Sequence, residues 1–322
     1  MNKAEIKKKI IGPIFSIITP FTAKEKIDYQ CLKKYIKYMY IRGARCFFVM
    51  AYNSRLTLLD EKEIIELNLF VIRIVKNLNQ NNIVICAEPY HTSTKKSIEY
   101  IKIFNKHGAD IVSVLFGEKF YSNDQVYSHF KKISDNSKTF LLLHQQPLEN
   151  GISSKPPIVN YNLKLLKKIS KLKNFIAMKE DAKDKELTKK ICLQLQKDIV
   201  IITSGGGKRQ WLEASKYGCQ SWLSGISNLD PLIAIDFYKL YKLSKKEDYM
   251  RIIKKIEDIF FKIKDVYGWH LTIKGMLELH KIYKRYERLP LKPAGTNDLK
   301  KINKVYITLI KNSKKFFQSR YF

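Results

Sequence analysis

The sequence predicts an α/β protein, a (β/α)8 TIM barrel with a C-terminal helical extension. Short apolar runs rich in Ile, Val, Leu and Phe alternate with amphipathic helical segments between residues 12 and 224, which is the pattern of repeated βα units. Eight such runs can be recognised, and eight parallel strands joined by helical crossovers close most readily into a barrel. A doubly wound open sheet is the alternative, although no Gly-rich phosphate loop follows the first strand.

The predicted strands are short, and each is followed by a helix or a turn. They span residues 12–19, 46–50, 83–87, 111–115, 140–143, 175–178, 199–203 and 222–224. Asp28 and Asp60 are suited to cap the first two connecting helices, and Gly108 suits the C-terminal end of the third. Further helices are predicted around residues 124–133, up to residue 172, and from 208 to 217.

After Pro231 the pattern becomes purely helical. Helical periodicity continues to residue 241 and then over residues 248–264, 269–286 and 298–310. We therefore divide the chain into a barrel, residues 1–229, and a helical extension packed on it, residues 230–322. The lysine-rich tail from Lys311 is expected to be loosely ordered.

Composition indicates an ordinary globular protein of the cytoplasm. Of its 322 residues 45% are hydrophobic, and no apolar run approaches the roughly 18 residues that a membrane span requires. The first residues contain lysines but no small-residue cleavage site, so no signal peptide is predicted. The five cysteines are scattered, which argues against a disulfide framework and against a zinc site.

The net charge of +30 raises the question of a nucleic-acid or anionic-membrane partner. The lysines are spread along the whole chain and accompany abundant Asn, Ile, Tyr and Phe, as an AT-rich coding sequence would produce. No nucleic-acid-binding motif accompanies the charge, so neither a nucleic acid nor a membrane is expected as partner. Retention on heparin with little dependence on salt would discard the charge-based hypothesis.

Polar residues at strand ends carry the chemical prediction, because barrel enzymes place reacting groups at the carboxyl ends of strands. Lys179 follows the apolar run of the sixth strand, and burial of its amine would lower its pKa and favour a nucleophile. The alternative is a lysine that reaches solvent or pairs with Glu180 or Asp181. His144 ends the neighbouring strand and is suited to proton transfer, unless it is a core histidine bonded to a carbonyl.

Ser204-Gly205-Gly206-Gly207 ends the seventh strand and precedes a helix. Backbone amides at such a place can hold a phosphate or a carboxylate. The segment is not a Walker motif, because the leading glycine is missing at the required spacing. A simple turn from strand to helix explains it equally well.

Several short segments occur in order along the chain: Ile18-Thr19-Pro20-Phe21, Ile27-Asp28-Tyr29, Lys179-Glu180, Ser204-Gly205, residues 218–231, Lys274 through Leu277, and Arg288-Leu289-Pro290-Leu291. Together, over roughly residues 12–295, they resemble the dihydrodipicolinate synthase/N-acetylneuraminate lyase family. The resemblance implies a usually tetrameric barrel in which Lys179 forms an imine with pyruvate or another 2-keto acid. It implies no metal and no organic cofactor, and it assigns substrate binding to Tyr52, Asn53, Gly205 and Leu223.

The departures from the family pattern fall on the groups around the lysine. The family's Tyr-Asn-x-Pro motif is His144-Gln145-Gln146-Pro147 here, so a histidine stands in place of the tyrosine proton donor. The carboxylate-binding loop Gly-Thr-Thr-Gly-Glu appears as Ala51-Tyr52-Asn53-Ser54-Arg55. Glu149 stands where the synthase branch has an arginine, which disfavours a dicarboxylate or amino-acid aldehyde as second substrate. Gly117 and Glu118 replace the relay tyrosines, with Tyr121 nearby.

Three hypotheses follow. The first is a class I, Schiff-base aldolase or lyase that joins or cleaves a 2-keto acid and a second aldehyde or sugar-like substrate. The second is a catalytically impaired barrel that acts as a ligand-binding or regulatory protein. The third is binding of a polyanion through the positive charge. For the first we expect a homo-oligomer, a dimer or tetramer.

Overall fold

The structure is a computed structural model that describes residues 1–49, 54–89, 93–116, 121–145, 161–182, 184–313 and 315–317. Eight strands form a closed barrel in chain order, and the fold class predicted from the sequence is confirmed. The strands are β1 (Gly12–Ser16), β2 (Cys46–Phe48), β3 (Ile83–Ala87), β4 (Ile111–Val114), β5 (Phe140–Gln145), β6 (Phe175–Glu180), β7 (Val200–Thr203) and β8 (Ser221–Leu223).

Helices connect the strands and continue beyond the last of them. They are α1 (Lys3–Lys9), α2 (Tyr29–Ile41), α3 (Glu61–Leu78), α4 (Thr94–Lys106), α5 (Asn123–Asp135), α6 (Leu163–Ser170), α7 (Lys185–Leu195), α8 (Gly207–Ser215), α9 (Leu232–Lys242), α10 (Lys246–Ile252), α11 (Asp258–Tyr267), α12 (Trp269–Leu279) and α13 (Thr296–Asn312). A π-helical segment, Ile253–Glu257, joins α10 to α11. No helix formed by the described residues is long and apolar enough to cross a bilayer.

The helix ends follow the local signals in the sequence. Asp28 caps α2 as predicted, and its Oδ1 accepts a hydrogen bond from the backbone N–H of Cys31 at 2.9 Å. Gly108 follows α4 with φ of +94°, a conformation that glycine adopts without strain. These short-range contacts satisfy backbone groups that a helix end leaves without partners.

The chain forms two compact units. The first comprises residues 1–12, 61–73 and 83–223, and the second comprises residues 13–60, 74–82 and 224–322. The first unit contains β3 to β8, and every residue of β3, β4 and β6 is buried. Continuous burial is expected of parallel strands that are covered on both faces.

In the second unit, residues after β8 pack against α2. The hydroxyl groups of Tyr35 and Tyr38 donate to the carbonyl groups of Asn228 and Leu229 at 3.1 and 2.8 Å. The buried guanidinium of Arg42 binds both carboxylate oxygens of Asp230, a bidentate geometry with strong directional preference. The division of the chain between residues 229 and 230 stays a prediction.

Several element predictions were wrong in extent, and β1, for example, ends at Ser16 and not at residue 19. β5 and β6 each include two more residues than predicted, because polar side chains at their ends remain in the hydrogen-bonded ladder. α12 ends at Leu279 and not at residue 286, because Lys281 is left-handed with φ of +62° and the N–H of Ile282 returns to the carbonyl of Leu277. α1 was not predicted, although Asn2 and Glu5 form a capping box at its start.

Candidate active site

The candidate site is built on the paired ends of β5 and β6 in the first unit. His144 and Lys179 are partners in the register of these parallel strands, so their side chains leave the sheet at the same level and on the same face. The Nζ atom of Lys179 lies 2.8 Å from the Nε2 atom of His144. Lys179 is 1% exposed and His144 is 7% exposed. The two residues predicted as catalytic are therefore in direct contact in a buried position.

A carboxylate completes the surroundings of the amine. The Oδ2 atom of Asp181 lies 2.8 Å from Lys179 Nζ and 4.0 Å from His144 Nε2. The alternative in which Lys179 reaches solvent is wrong, because the side chain is buried. The pairing of Lys179 with Asp181 does occur. Asp181 stands two residues after Lys179, and that spacing places both side chains on one face of an extended chain.

Glu180 points away from this group and fixes the chain that follows β6. Its side chain is buried, its Oε1 accepts the backbone N–H of Ala182 at 2.8 Å, and its Oε2 accepts the hydroxyl of Thr188 at 3.0 Å. The first contact spans Asp181, and the second ties the strand end to α7. Glu180 is thus a positioning residue for the turn that presents Asp181.

Lys179 is buried because its strand, β6, is flanked by a paired strand on each side. It pairs with His144 on β5 and with Ile202 on β7. The neighbouring strand residues Leu143, Met178 and Ile202 are all buried. In such surroundings a charge interacts with its neighbours more strongly than it does in water. The attraction between the Lys179 amine and the Asp181 carboxylate across 2.8 Å is therefore stronger than it would be in water.

The predicted substrate-binding residues of β7 and β8 lie at the carboxyl ends of their strands. Gly205 is exposed and has φ of +91°, and Leu223 is the half-buried last residue of β8. The N–H of Gly206 donates to Oε1 of Gln210 at 2.8 Å. This amide is therefore bound to a side chain of α8 itself, which supports the interpretation of the glycine run as a strand-to-helix turn at that residue.

Other predicted positions lie outside the described residues. These are Tyr52 and Asn53, the segment from Gln146 through Pro147 to Glu149, and Gly117 and Glu118. At the edge of the first of these segments, the hydroxyl of Ser54 donates to the carbonyl of Ile17 at 2.6 Å. Tyr121 is 45% exposed. Among the residues with described positions, no three His, Cys, Asp or Glu side chains are grouped so that they could hold a metal ion.

A second buried group of charges lies in the second unit, around Phe21. Lys274 Nζ lies 2.9 Å from Oε1 of Glu287 and 4.6 Å from the centre of the Phe21 ring. His270 Nε2 lies 2.7 Å from the same carboxylate oxygen, and the guanidinium carbon of Arg288 lies 4.9 Å from the centre of the Phe21 ring. Burial lowers the pKa of Lys274, and the attraction of Glu287 opposes this shift. Three of the segments that carry the family resemblance therefore meet at Phe21.

The closed barrel and a buried lysine on its sixth strand define the class of protein, a (β/α)8 barrel with ionisable groups at its strand ends. The profile of the dihydrodipicolinate synthetase family matches residues 9–308. The chain belongs to this family, whose members are class I aldolase-type lyases. The enzyme class predicted from the sequence is thereby confirmed at the level of the family.

Individual relatives are similar over nearly their whole length. The 4-hydroxy-tetrahydrodipicolinate synthase of Karelsulcia muelleri (strain GWSS) is 26% identical over 309 residues, which are 94% of this chain and 99% of the relative. The solved structure of the 4-hydroxy-tetrahydrodipicolinate synthase from Methylacidiphilum fumariolicum SolV has a TM-score of 0.79 at 21% identity, covering 95% of this chain and 98% of its own. N-acetylneuraminate lyase from Fusobacterium nucleatum has a TM-score of 0.79 at 16% identity, covering 93% and 99%. The two structures support the fold.

Proposed function

We propose that the protein is a Schiff-base lyase that forms an imine between Lys179 and a 2-keto acid such as pyruvate. The imine acts as an electron sink, so that a C–C bond next to it is cleaved or formed. The observation that carries the proposal is the buried contact of 2.8 Å between Lys179 Nζ and His144 Nε2. A buried amine beside a group that exchanges protons near neutral pH meets the requirements of imine chemistry.

In this proposal His144 has the role that a tyrosine has in the Tyr-Asn-x-Pro motif of the family. Its imidazole accepts a proton from the nitrogen and returns it to the oxygen that leaves as water. Tyr52, Asn53, Gly205 and Leu223 are proposed to contact the keto acid. The second substrate is an aldehyde or a sugar-like molecule, and Glu149 disfavours a second substrate that carries a carboxylate. The proposed assembly is a cytoplasmic homodimer or homotetramer.

Borohydride trapping tests the proposal. The protein is incubated with each of a panel of 2-keto acids, reduced with borohydride, and examined by intact mass and peptide mapping. We expect an irreversible gain of one reduced keto-acid unit at Lys179, because reduction converts the imine to a stable secondary amine. Lys179→Ala should gain nothing, whereas Lys185→Ala, which removes an exposed lysine of α7, should behave like the wild type. Trapping that survives Lys179→Ala would contradict the proposal.

The same measurement separates the second hypothesis from the first. A catalytically impaired barrel that only binds ligands would give no adduct with any keto acid. It would still be stabilised against heat by a ligand that binds the folded state. Thermal shift without trapping would therefore favour the binding protein.

A further inference from the structure

The proposed function uses His144 as the proton acceptor of the Lys179 nitrogen, and the carboxylate of Asp181 lies equally close to the same nitrogen. His144 Nε2 and Asp181 Oδ2 each lie 2.8 Å from Nζ and lie 4.0 Å from one another. The Asp181 side chain is 17% exposed, while that of Lys179 is 1% exposed. The carboxylate is therefore more accessible to solvent than the amine that it contacts.

The placement of Asp181 is imposed by its neighbours. The carboxylate of Glu180 accepts hydrogen bonds from the N–H of Ala182 and the hydroxyl of Thr188. These bonds fix the backbone on both sides of Asp181. Because Lys179 and Asp181 are two residues apart, their side chains emerge on the same face of the strand end. A carboxylate held in this way needs no rearrangement to exchange a proton with the amine.

The stoichiometry of imine formation calls for two proton transfers away from this nitrogen. A lysine ammonium carries three protons, and the protonated imine carries one. The other two must end on the carbonyl oxygen, which leaves as water. His144 and Asp181 each lie close enough to the nitrogen to receive one of these protons.

We propose that Asp181 is a second catalytic residue, which takes the first proton from Lys179 while His144 takes the second. This inference rests on the proposed function. In the first step the ammonium gives a proton to Asp181, and the neutral amine attacks the keto carbon. The C–N bond forms, and the π electrons of the C=O bond move to oxygen. The nitrogen then gives its second proton to His144, and the oxygen receives the proton from Asp181.

The neutral carbinolamine that results collapses in the next step. His144 protonates the hydroxyl group, the C–O bond breaks and water leaves. The nitrogen lone pair forms the C=N bond, and the nitrogen keeps its last proton. Asp181 is again a carboxylate and faces the cationic imine, whose positive charge it stabilises at short range in a buried site. All protons and charges are accounted for without any further reactant.

The test compares Asp181→Asn with the wild type in two reactions of Lys179. The first is trapping of pyruvate or the best keto acid of the panel by borohydride, followed as a rate. We expect the rate to fall about 100-fold, within the usual range for loss of a general acid–base group. The second is acylation by acetic anhydride, which needs only a neutral amine. Asp181→Asn lacks the carboxylate that stabilises the ammonium ion. The pH at which the acylation rate is half-maximal should therefore be lower in this variant than in the wild type.

Trapping is thus expected to become slower, although the amine becomes neutral at a lower pH. An ion pair that only anchors the lysine would not produce both changes. If Asp181 merely holds the ammonium ion, Asp181→Asn frees the amine, and trapping becomes faster. Trapping at Lys179 that is as fast as or faster than in the wild type overturns the inference and leaves the proposed function standing. Failure of the wild type to trap any keto acid overturns both.

Two further variants guard against indirect effects. Asp181→Ala should reproduce both changes, which would exclude a specific effect of the asparagine amide. Glu186→Gln removes an exposed carboxylate in the first turn of α7 and should change neither reaction. A thermal melt of each variant reports whether the barrel is folded, and loss of trapping in a variant that melts as the wild type does supports a role in catalysis.

Discussion

His144 differs from a tyrosine in the protons that it can carry. An imidazole has an ordinary pKa near 6.5 and accepts or donates a proton at neutral pH, whereas a phenol with an ordinary pKa near 10 mainly donates. The contact of Nε2 with Lys179 Nζ at 2.8 Å places this imidazole next to the amine. The substitution of histidine for tyrosine is therefore compatible with proton transfer at the nitrogen itself.

His144→Asn tests this role. The amide can still form a hydrogen bond with Lys179, but it cannot take up a proton at neutral pH. We expect the rate of keto-acid trapping at Lys179 to fall about 100-fold, as measured by quenched reactions and intact mass. His144→Tyr, which restores the tyrosine of the family motif, should trap the keto acid faster than His144→Asn.

The control for this prediction is His107→Asn. His107 is exposed at the C-terminal end of α4, so the same chemical change is made away from the amine. Its trapping rate should equal that of the wild type. Equal rates in His144→Asn and His107→Asn would exclude His144 from the proton transfers.

At the scale of the elements, the sequence predicted the position of the site better than its extent. The apolar runs of β5 and β6 indicated two adjacent strands, and the structure brings the polar residues His144 and Lys179 at their ends into contact. Hydropathy cannot show that His144 and Lys179 remain inside the ladder, because polar residues normally signal the end of a strand. The role proposed for Asp181 was not predicted from the sequence for a related reason, since the position of its carboxylate depends on how Glu180 anchors the chain beyond β6.

α12 shows the opposite failure. Ile282 and Tyr283 are buried and lie where the helical periodicity of α12 would continue, so the apolar pattern extended the prediction beyond the true end. The left-handed conformation of Lys281 has no signal in composition, because lysine adopts it rarely. Burial of the side chains, and not helical continuity, produced the pattern.

The charge cluster around Glu287 links α12 to the segment that follows it, and Lys274→Met tests its contribution to stability. The substitution would leave the Glu287 carboxylate buried without its cation, and the side chains of the pair are 1% and 0% exposed. We expect a loss of about 3 kcal/mol in the free energy of unfolding in urea, as is typical of a broken buried pair. The double variant Lys274→Met/Glu287→Leu should recover most of that loss, because no unpaired charge remains.

The exposed pair of Lys96 and Glu61 provides the comparison. Its side chains are 49% and 52% exposed, and exposed ion pairs contribute little. Lys96→Met should therefore change the free energy of unfolding only slightly. A loss in Lys274→Met no larger than in Lys96→Met would show that the buried cluster does not stabilise the fold.

For the whole molecule, the net charge of +30 has little bearing on the site. Salt at physiological concentration screens exposed charges over about 8 Å, whereas the contacts of Lys179 are short and buried. Buried ionisable groups have a different effect, because their protonation is coupled to folding. Burial lowers the pKa of His270 and of His280.

The shifts of these histidines predict a loss of stability in acid. In the unfolded chain each imidazole takes up a proton near its ordinary pKa of about 6.5, while in the folded protein it does so only at lower pH. The stabilising contribution is therefore complete above about pH 6.5, and it is lost as the pH falls through the lowered pKa of the folded state.

His280→Gln tests this coupling, because the partners of the ring nitrogens are the hydroxyl groups of Tyr38 and Tyr306, which an amide can also bind. We expect the free energy of unfolding of His280→Gln, measured in urea between pH 7.5 and 5.5, to fall less steeply with acidification than that of the wild type. His107→Gln, at an exposed position, should keep the wild-type slope, and a slope in His280→Gln equal to both would show that His280 does not couple protonation to folding.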